Sequence, residues 1–267
     1  MATELADITT SLTPEQWEAY ERDGYLQLGH VLSNDDLTAL QTRIDDIMLG
    51  RAALDYDKIL MQLDSADGQY QNAGVQSRGW KGATLDYRKI QDLEFDPLFL
   101  EYMSRPLFRE ICDYVYGAIP IASFRAMFMN KPARKGTLLP WHQDRWNYLD
   151  RDPLITVWTA LDPATKANGC VQIVRGSHKF GLINPDHPSG FLTEAQAEQF
   201  APQDKVEYLE LEPGEAVLLH NWLLHRSDTN ATDISRRAFS VCYMDARTPA
   251  SNGETYTAIF DSNLVLK

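Results

Sequence analysis

The 267-residue chain is poor in cysteine, in basic charge and in long apolar runs, and each shortage removes a class of protein. Its three cysteines, Cys112, Cys170 and Cys242, are odd in number, far apart and without paired spacing. That excludes a disulfide framework or a cysteine zinc cluster and suits a reducing cytoplasm. Lys and Arg number 25 against 38 Asp and Glu, a net charge of −13, so duplex nucleic acid and anionic membrane would both be repelled. No stretch approaches the roughly 20 apolar residues of a membrane span. The N-terminal region holds acidic side chains and no apolar run, so no secretory or transit signal is visible in it.

What is present is an ordinary globular composition, 44% hydrophobic, which suffices for one sizeable core across residues 1–267. Thr13-Pro14-Glu15-Gln16 carries a capping threonine, proline at the first helical position and glutamine three residues on, predicting a helix to Asp23 that stops at Gly24. A short strand over 25–31 follows, and then Ser33 caps a helix whose Leu37, Leu40, Ile44 and Ile47 share one face, with Gly50 as its stop. Gly68, Gly74, Gly79 and Gly82 interrupt residues 51–90, which read as irregular loop. Residues 96–116 read as two helices broken at Pro106, completing a helical N-terminal part of about 1–118.

From Ile119 the texture changes to short β-branched and aromatic segments at 121–130, 138–143, 154–161, 170–174, 206–211, 215–220 and 237–244, without crossover helices between them. The expected fold is mainly β: a double-stranded β-helix, a jelly roll of cupin-like kind, over 119–245, with the N-terminal helices packed on one face. The polar stretch 178–205, with Pro185, Pro188 and Pro202, reads as an insert over the active site, and 246–267 as a C-terminal tail.

Six histidines are the first candidates for chemistry. His142 stands out within Trp141-His142-Gln143-Asp144, because a strand's period of two puts His142 and Asp144 on one face, able to chelate one ion. One more imidazole would complete a two-histidine, one-carboxylate triad that leaves positions open on iron(II) for a co-substrate and dioxygen. After the turn Glu212-Pro213-Gly214 comes His220-Asn221-Trp222-Leu223-Leu224-His225-Arg226-Ser227, and the next strand opens with Arg236-Arg237. The odd separation of His220 from His225 would turn their rings to opposite faces of an extended strand, so the two do not share a metal. A guanidinium on the neighbouring strand can grip the far carboxylate of a dicarboxylate while its near end chelates the metal.

With these motifs and with Met127-Phe128-Met129-Asn130-Lys131-Pro132, Trp158-Thr159-Ala160-Leu161-Asp162, Asn168-Gly169-Cys170 and Gly176-Ser177-His178-Lys179, the chain resembles the phytanoyl-CoA dioxygenase family of iron(II)- and 2-oxoglutarate-dependent oxygenases, from the first helix to about Asp245. The resemblance implies His142, Asp144 and His225 as catalytic metal ligands, with His220 outside the set. It implies 2-oxoglutarate on Arg236 and Ser227, with Gln143, Trp158, Met127 and Lys89 lining its cavity. Without the resemblance, Met127 and Trp158 would read as core and Lys89 as an exposed lysine near a helix start. Strand alternation points Arg237 away from Arg236.

The implied reaction is oxidative decarboxylation of 2-oxoglutarate to succinate and carbon dioxide, coupled by O2 to hydroxylation of an aliphatic C–H; desaturation or ring closure would begin alike. The carboxylate of Asp144 favours oxidation over halogenation, since related halogenases look as if they lack it. A cupin-like metal enzyme, or a metabolite-binding jelly roll, is the alternative, and Arg236 with Ser227 is the feature such a protein would not need. Arg145, Trp146, Trp80 and Tyr148 are substrate candidates on loops, with Trp222 as a further aromatic. Arg78, Lys81, Lys131, Arg134, Lys135 and Arg145 suggest a positive patch for a small anionic substrate.

Overall fold

The computed structural model describes residues 8–260. Thr13 caps the first helix as expected: its hydroxyl accepts from the Gln16 amide and the Gln16 side chain accepts from the Thr13 amide. This helix, α1 (Pro14–Asp23), ends on Gly24 at φ +78°, where a Cβ would also collide with the His178 ring. Strand β1 (Tyr25–His30) and helix α2 (Asn34–Met48), capped by Ser33, follow.

Residues 51–90 depart from the irregular loop expected there. They contain three short strands, β2 (Leu60–Leu63), β3 (Ser77–Arg78) and β4 (Tyr87–Gln91), so the segment 1–118 is not simply helical. Only Met61, Tyr87 and Ile90 of these strands are buried, which leaves an apolar alternation too short to read along the chain. Helices α3 (Pro97–Met103) and α4 (Pro106–Tyr116) break at Pro106 as expected.

The remaining elements are β5 (Ile121–Lys131), β6 (Leu139–His142), β7 (Ile155–Ala160), β8 (Val171–Val174), α5 (Glu194–Phe200), β9 (Val206–Leu209), β10 (Glu215–His220), β11 (His225–Ser227), β12 (Arg236–Asp245) and β13 (Thr257–Phe260). Strands β11 and β13 are additions to the expected set, and β13 turns part of the predicted tail into a strand paired on β5. The end of that tail, 261–267, lies outside the described residues. Nine strands form one sheet in the order β1-β10-β7-β12-β5-β4-β2-β3 with β13 on β5, and β6-β11-β8-β9 form a second, every pairing antiparallel. This is the jelly roll the strand pattern anticipated.

Alternation along β12 shows how the larger sheet is used on both faces. Phe239, Val241 and Tyr243 face outward into one core with Leu40, Ile44 and Ile47 of α2, Phe99 and Tyr102 of α3, and Phe108 and Ile111 of α4. Ala238 faces inward with Trp158 and Leu219, toward Val171, Ile173, Leu209 and Leu223. Arg237 obeys the same period: it leaves the interior and pairs with Asp162 at 2.8 Å and with Asp45 of α2 at 2.6 Å.

Phe239 is fully buried, its ring 4.7 Å from Phe99 and 5.7 Å from Tyr102. Phe239→Ala is therefore expected to destabilise the fold by about 3–5 kcal/mol, and to lower the melting temperature by roughly 10 °C. Calorimetry checks this, and a melting temperature within a degree or two of wild type would show that the helices do not seal this face.

Candidate metal centre and its cavity

Strand β6 delivers His142 and β11 delivers His225, and the register of the smaller sheet sets these two residues directly opposite one another. Side chains at such positions stand within contact distance; here the imidazole centroids are 4.0 Å apart. Each ring is oriented by its own backbone: His142 Nδ1 donates to the Pro140 carbonyl and His225 Nδ1 to the Leu223 carbonyl, both at 2.9 Å. The two Nε2 atoms thereby keep their lone pairs free and face Asp144, at 3.7 Å from Oδ1 for His142 and 3.8 Å from Oδ2 for His225. One donor atom from each of the three residues lies within 4.8 Å of the others.

Asp144 sits just past β6 and is positioned through its backbone, whose amide donates to the Asn221 carbonyl at 2.7 Å. The Asn221 side chain is itself buried, accepting from Thr156 and donating to the Pro153 carbonyl and to Cys242 Sγ. Burial, with the neighbouring His225 adding to it, pushes the His142 imidazole down to about 3, so it is neutral at physiological pH, the state in which imidazole ligates a metal.

The triad opens into a cavity of about 320 Å³. Arg236, Ser227, Trp158, Met127 and Lys89 all line it, as does Trp146. Arg236 is 2% exposed, its guanidinium carbon is 5.3 Å from the Trp158 ring, and its Nε and Nη1 have no hydrogen-bond partner among the described residues. Burial draws this cation down to about 10, which leaves it charged at neutral pH. Burial, reinforced by Arg125 and Arg88, lowers the Lys89 ammonium to about 7. Phe191 from the insert closes over the triad, stacked on His142 at 5.0 Å, and Tyr70 meets Phe191 at 5.3 Å.

Several expected cavity residues lie elsewhere. The Gln143 amide turns away from the cavity, donating to the Gly181 and Trp222 carbonyls and accepting from Ile183, so it fastens the insert to the turn before His225. Trp80 is 44% exposed and covers Gly50, its indole donating to the Met48 carbonyl. Tyr148 packs beside Phe124, and the Trp222 indole donates to Asp152, so of the expected aromatic wall Trp146 alone reaches the cavity. The positive patch does not assemble either. Arg78 pairs with Asp92, Arg134 with Asp233 and Lys135 with Asp86, while Lys81 and Arg145 donate to backbone carbonyls; only Lys131 faces the cavity. His220 lies on β10 in the larger sheet, its ring 5.0 Å from His178; it is separated from His225 by a turn and a change of sheet, rather than by the parity of one extended strand.

The profile of the phytanoyl-CoA dioxygenase family matches residues 20–238. The chain belongs to the phytanoyl-CoA dioxygenase family. It is 29% identical over 243 residues to a probable phytanoyl-CoA dioxygenase of Caenorhabditis elegans, covering 87% of this chain and 75% of that protein. To the peroxisomal phytanoyl-CoA dioxygenase of Mus musculus it is 27% identical over 240 residues, covering 86% of this chain and 67% of that one. Among solved structures it is similar to EctD from S. alaskensis with bound Fe, with a TM-score of 0.68 and 19% identity over 96% of this chain and 83% of that chain. It is also similar to the epimerase SnoN in complex with Fe3+, alpha ketoglutarate and nogalamycin RO, with a TM-score of 0.66 and 18% identity over 88% of this chain and 84% of that chain. At these identities the structural likeness shows a shared fold.

Phe191, Tyr70, Arg125 and Asn221 border the site or support it without having been singled out from the chain. Asn221 gave one signal, an amide side chain inside the His220–His225 turn. His142→Ala, Asp144→Ala and His225→Ala are each expected to abolish iron(II) binding in equilibrium titration, whereas His220→Ala retains it; wild-type iron affinity in a folded His225→Ala variant would remove that residue from the ligand set.

Proposed function

We propose that this chain is an iron(II)- and 2-oxoglutarate-dependent dioxygenase that hydroxylates an aliphatic C–H of a small molecule, releasing succinate and carbon dioxide. The observation that carries this reading is Arg236: a cation held in the same cavity as the triad, with two nitrogens that have no partner among the described residues. An uncompensated buried charge is costly, and a guanidinium's natural complement is a carboxylate. A protein that used the triad alone would have no need of it. The donor set also fits the metal, since two imidazoles and one carboxylate bring their donor atoms together at the cavity.

In this reading His142, Asp144 and His225 hold the iron, which when bound supplies C–H oxidation coupled to decarboxylation of 2-oxoglutarate. Arg236 grips the distal carboxylate of 2-oxoglutarate bidentately and the Ser227 hydroxyl donates beside it. Trp158 and Met127 give the cosubstrate an apolar bed, and Lys89 adds a donor from β4. Gln143 acts one step removed, by fixing the turn that presents His225. Phe191 and Tyr70 roof the triad and limit water at the reacting centre. Cys112, Cys170 and Cys242 are buried and unpaired, which supports a reducing cytoplasm as the compartment, and no helix among the described residues is long and apolar enough to cross a membrane.

Anaerobic titration with iron(II) and then 2-oxoglutarate is expected to produce the weak visible charge-transfer band of the chelate. Arg236→Ala should weaken 2-oxoglutarate binding roughly 10- to 100-fold, the worth of about 1.5–3 kcal/mol for hydrogen bonds to a charged group, and leave iron affinity unchanged. Iron binding without any band would assign the triad to another chemistry.

A further inference from the structure

Arg236 accounts for one end of the cavity and leaves the charge at the other end unexplained. Six basic side chains line the cavity, Arg88, Lys89, Arg125, Lys131, Arg226 and Arg236, against the single carboxylate of Asp144; burial pushes the Lys89 and Lys131 ammoniums down, so the four arginines carry the standing charge. In a protein of net charge −13 that excess is local and internal. Three of the six are held by the protein. Lys131 donates to the Thr137 carbonyl, Arg226 to Gln172 while covering the Trp141 ring, and Arg88 to Gln62 while covering Tyr70.

Arg125 is different. Among the described residues no carboxylate lies within 4.0 Å of its nitrogens. Glu254, which shares Tyr256 with it as a neighbour, accepts instead from the Tyr256 hydroxyl at 3.1 Å. The guanidinium is braced by the neighbouring Tyr148 hydroxyl and by rings, its carbon 4.6 Å from the Trp146 centroid and 5.0 Å from that of Phe124, contacts that hold it in place without neutralising it.

Its position is informative. The β5–β12 register pairs Lys131 with Arg236 and Arg125 with Cys242, so the two arginines stand six residues apart along the sheet, about 20 Å at some 3.3 Å per residue. The three metal donors and both arginines line the same cavity. If 2-oxoglutarate runs from Arg236 to the metal, the far side of the metal is left for the primary substrate, and Arg125 is the charge that meets it there.

We propose that Arg125, backed by Trp146, is the head-group site for the primary substrate, and that this substrate is a small oxyanion, a carboxylate or an organophosphorus acid, whose oxidised C–H lies between that head group and the metal. The guanidinium fork matches either group. The proposal deepens the oxygenase reading and rests on it for the word substrate, while the anion site itself is testable without metal or cosubstrate.

Metal-free Arg236→Gln protein, with the opposite cationic end neutralised, is titrated calorimetrically at constant ionic strength with propanoate, methylphosphonate and, as the uncharged control, propanamide. Saturable binding of one of the two anions is expected, the tighter one naming the head group, with no binding of propanamide and at least a tenfold loss on adding Arg125→Gln. A parallel titration compares wild type with Arg125→Gln, the Arg236 end being filled by manganese(II) and 2-oxoglutarate, and is expected to give the same order; it serves if Arg236→Gln does not fold. If neither anion binds, or if Arg125→Gln leaves the affinity unaltered, the proposal is overturned. Anion binding at Arg125 without an iron and 2-oxoglutarate chelate would instead overturn the oxygenase reading alone.

Discussion

The site depends on one pairing, that of His142 with His225 across the β6–β11 ladder. Two residues far apart in the chain face each other because the antiparallel register puts them there, and their Nδ1 atoms are committed to backbone carbonyls before any metal arrives. Asp144 is then added by an amide bonded to Asn221, which belongs to the same turn that feeds β11. Asp144 and His225 are thus both referred to one short stretch, Asn221–Leu224, which the Gln143 amide ties to the insert. Preorganisation of this kind costs nothing at the moment of ligand binding, which is why the supporting polar groups matter as much as the ligands.

The larger sheet supplies the second constraint. It has no face open to water over β12: outward residues seal against α2, α3 and α4, and inward ones make the cavity floor. A strand so placed can carry arginine at adjacent positions with opposite fates. Arg237 is satisfied by two carboxylates outside, whereas inside two nitrogens of Arg236 have no partner among the described residues. The rigid packing on the helical face holds the charged inner face in position. The acidic net charge of the chain and the basic lining of the cavity are therefore separate features.

Much of this was legible in the chain. Capping residues at Thr13 and Ser33, Pro106 between helices and the β-rich segments after Ile119 are local signals, and they located most elements to within a residue or two. The His-x-Asp spacing and the Arg236–Arg237 pair are also local, since strand alternation alone separates their faces. Strands β2, β3, β4 and β13 were not legible: each is only two to five residues long, too short to show a period, and each is ordered by a partner elsewhere in the sequence.

Side-chain destination was the other thing the chain withheld. Gln143 stands between His142 and Asp144 yet points away, because alternation along the extended chain gives the inner face to those two. Trp80 and Tyr148 lie near the right loops but pack on Gly50 and Phe124. Of the basic residues that cluster in sequence, Arg78, Arg134 and Lys135 found separate acidic partners and Lys81, Lys131 and Arg145 backbone carbonyls, while Arg125, inconspicuous in an apolar strand, kept no carboxylate within reach among the described residues. By itself the sequence determined the helical starts, the β-rich core, the metal-binding residue types and the face of Arg236, because these follow from local periodicity and chemistry. Only the tertiary structure decided which imidazole meets His142 and which cations remain unneutralised, because both depend on register and on partners that folding brings from elsewhere in the chain.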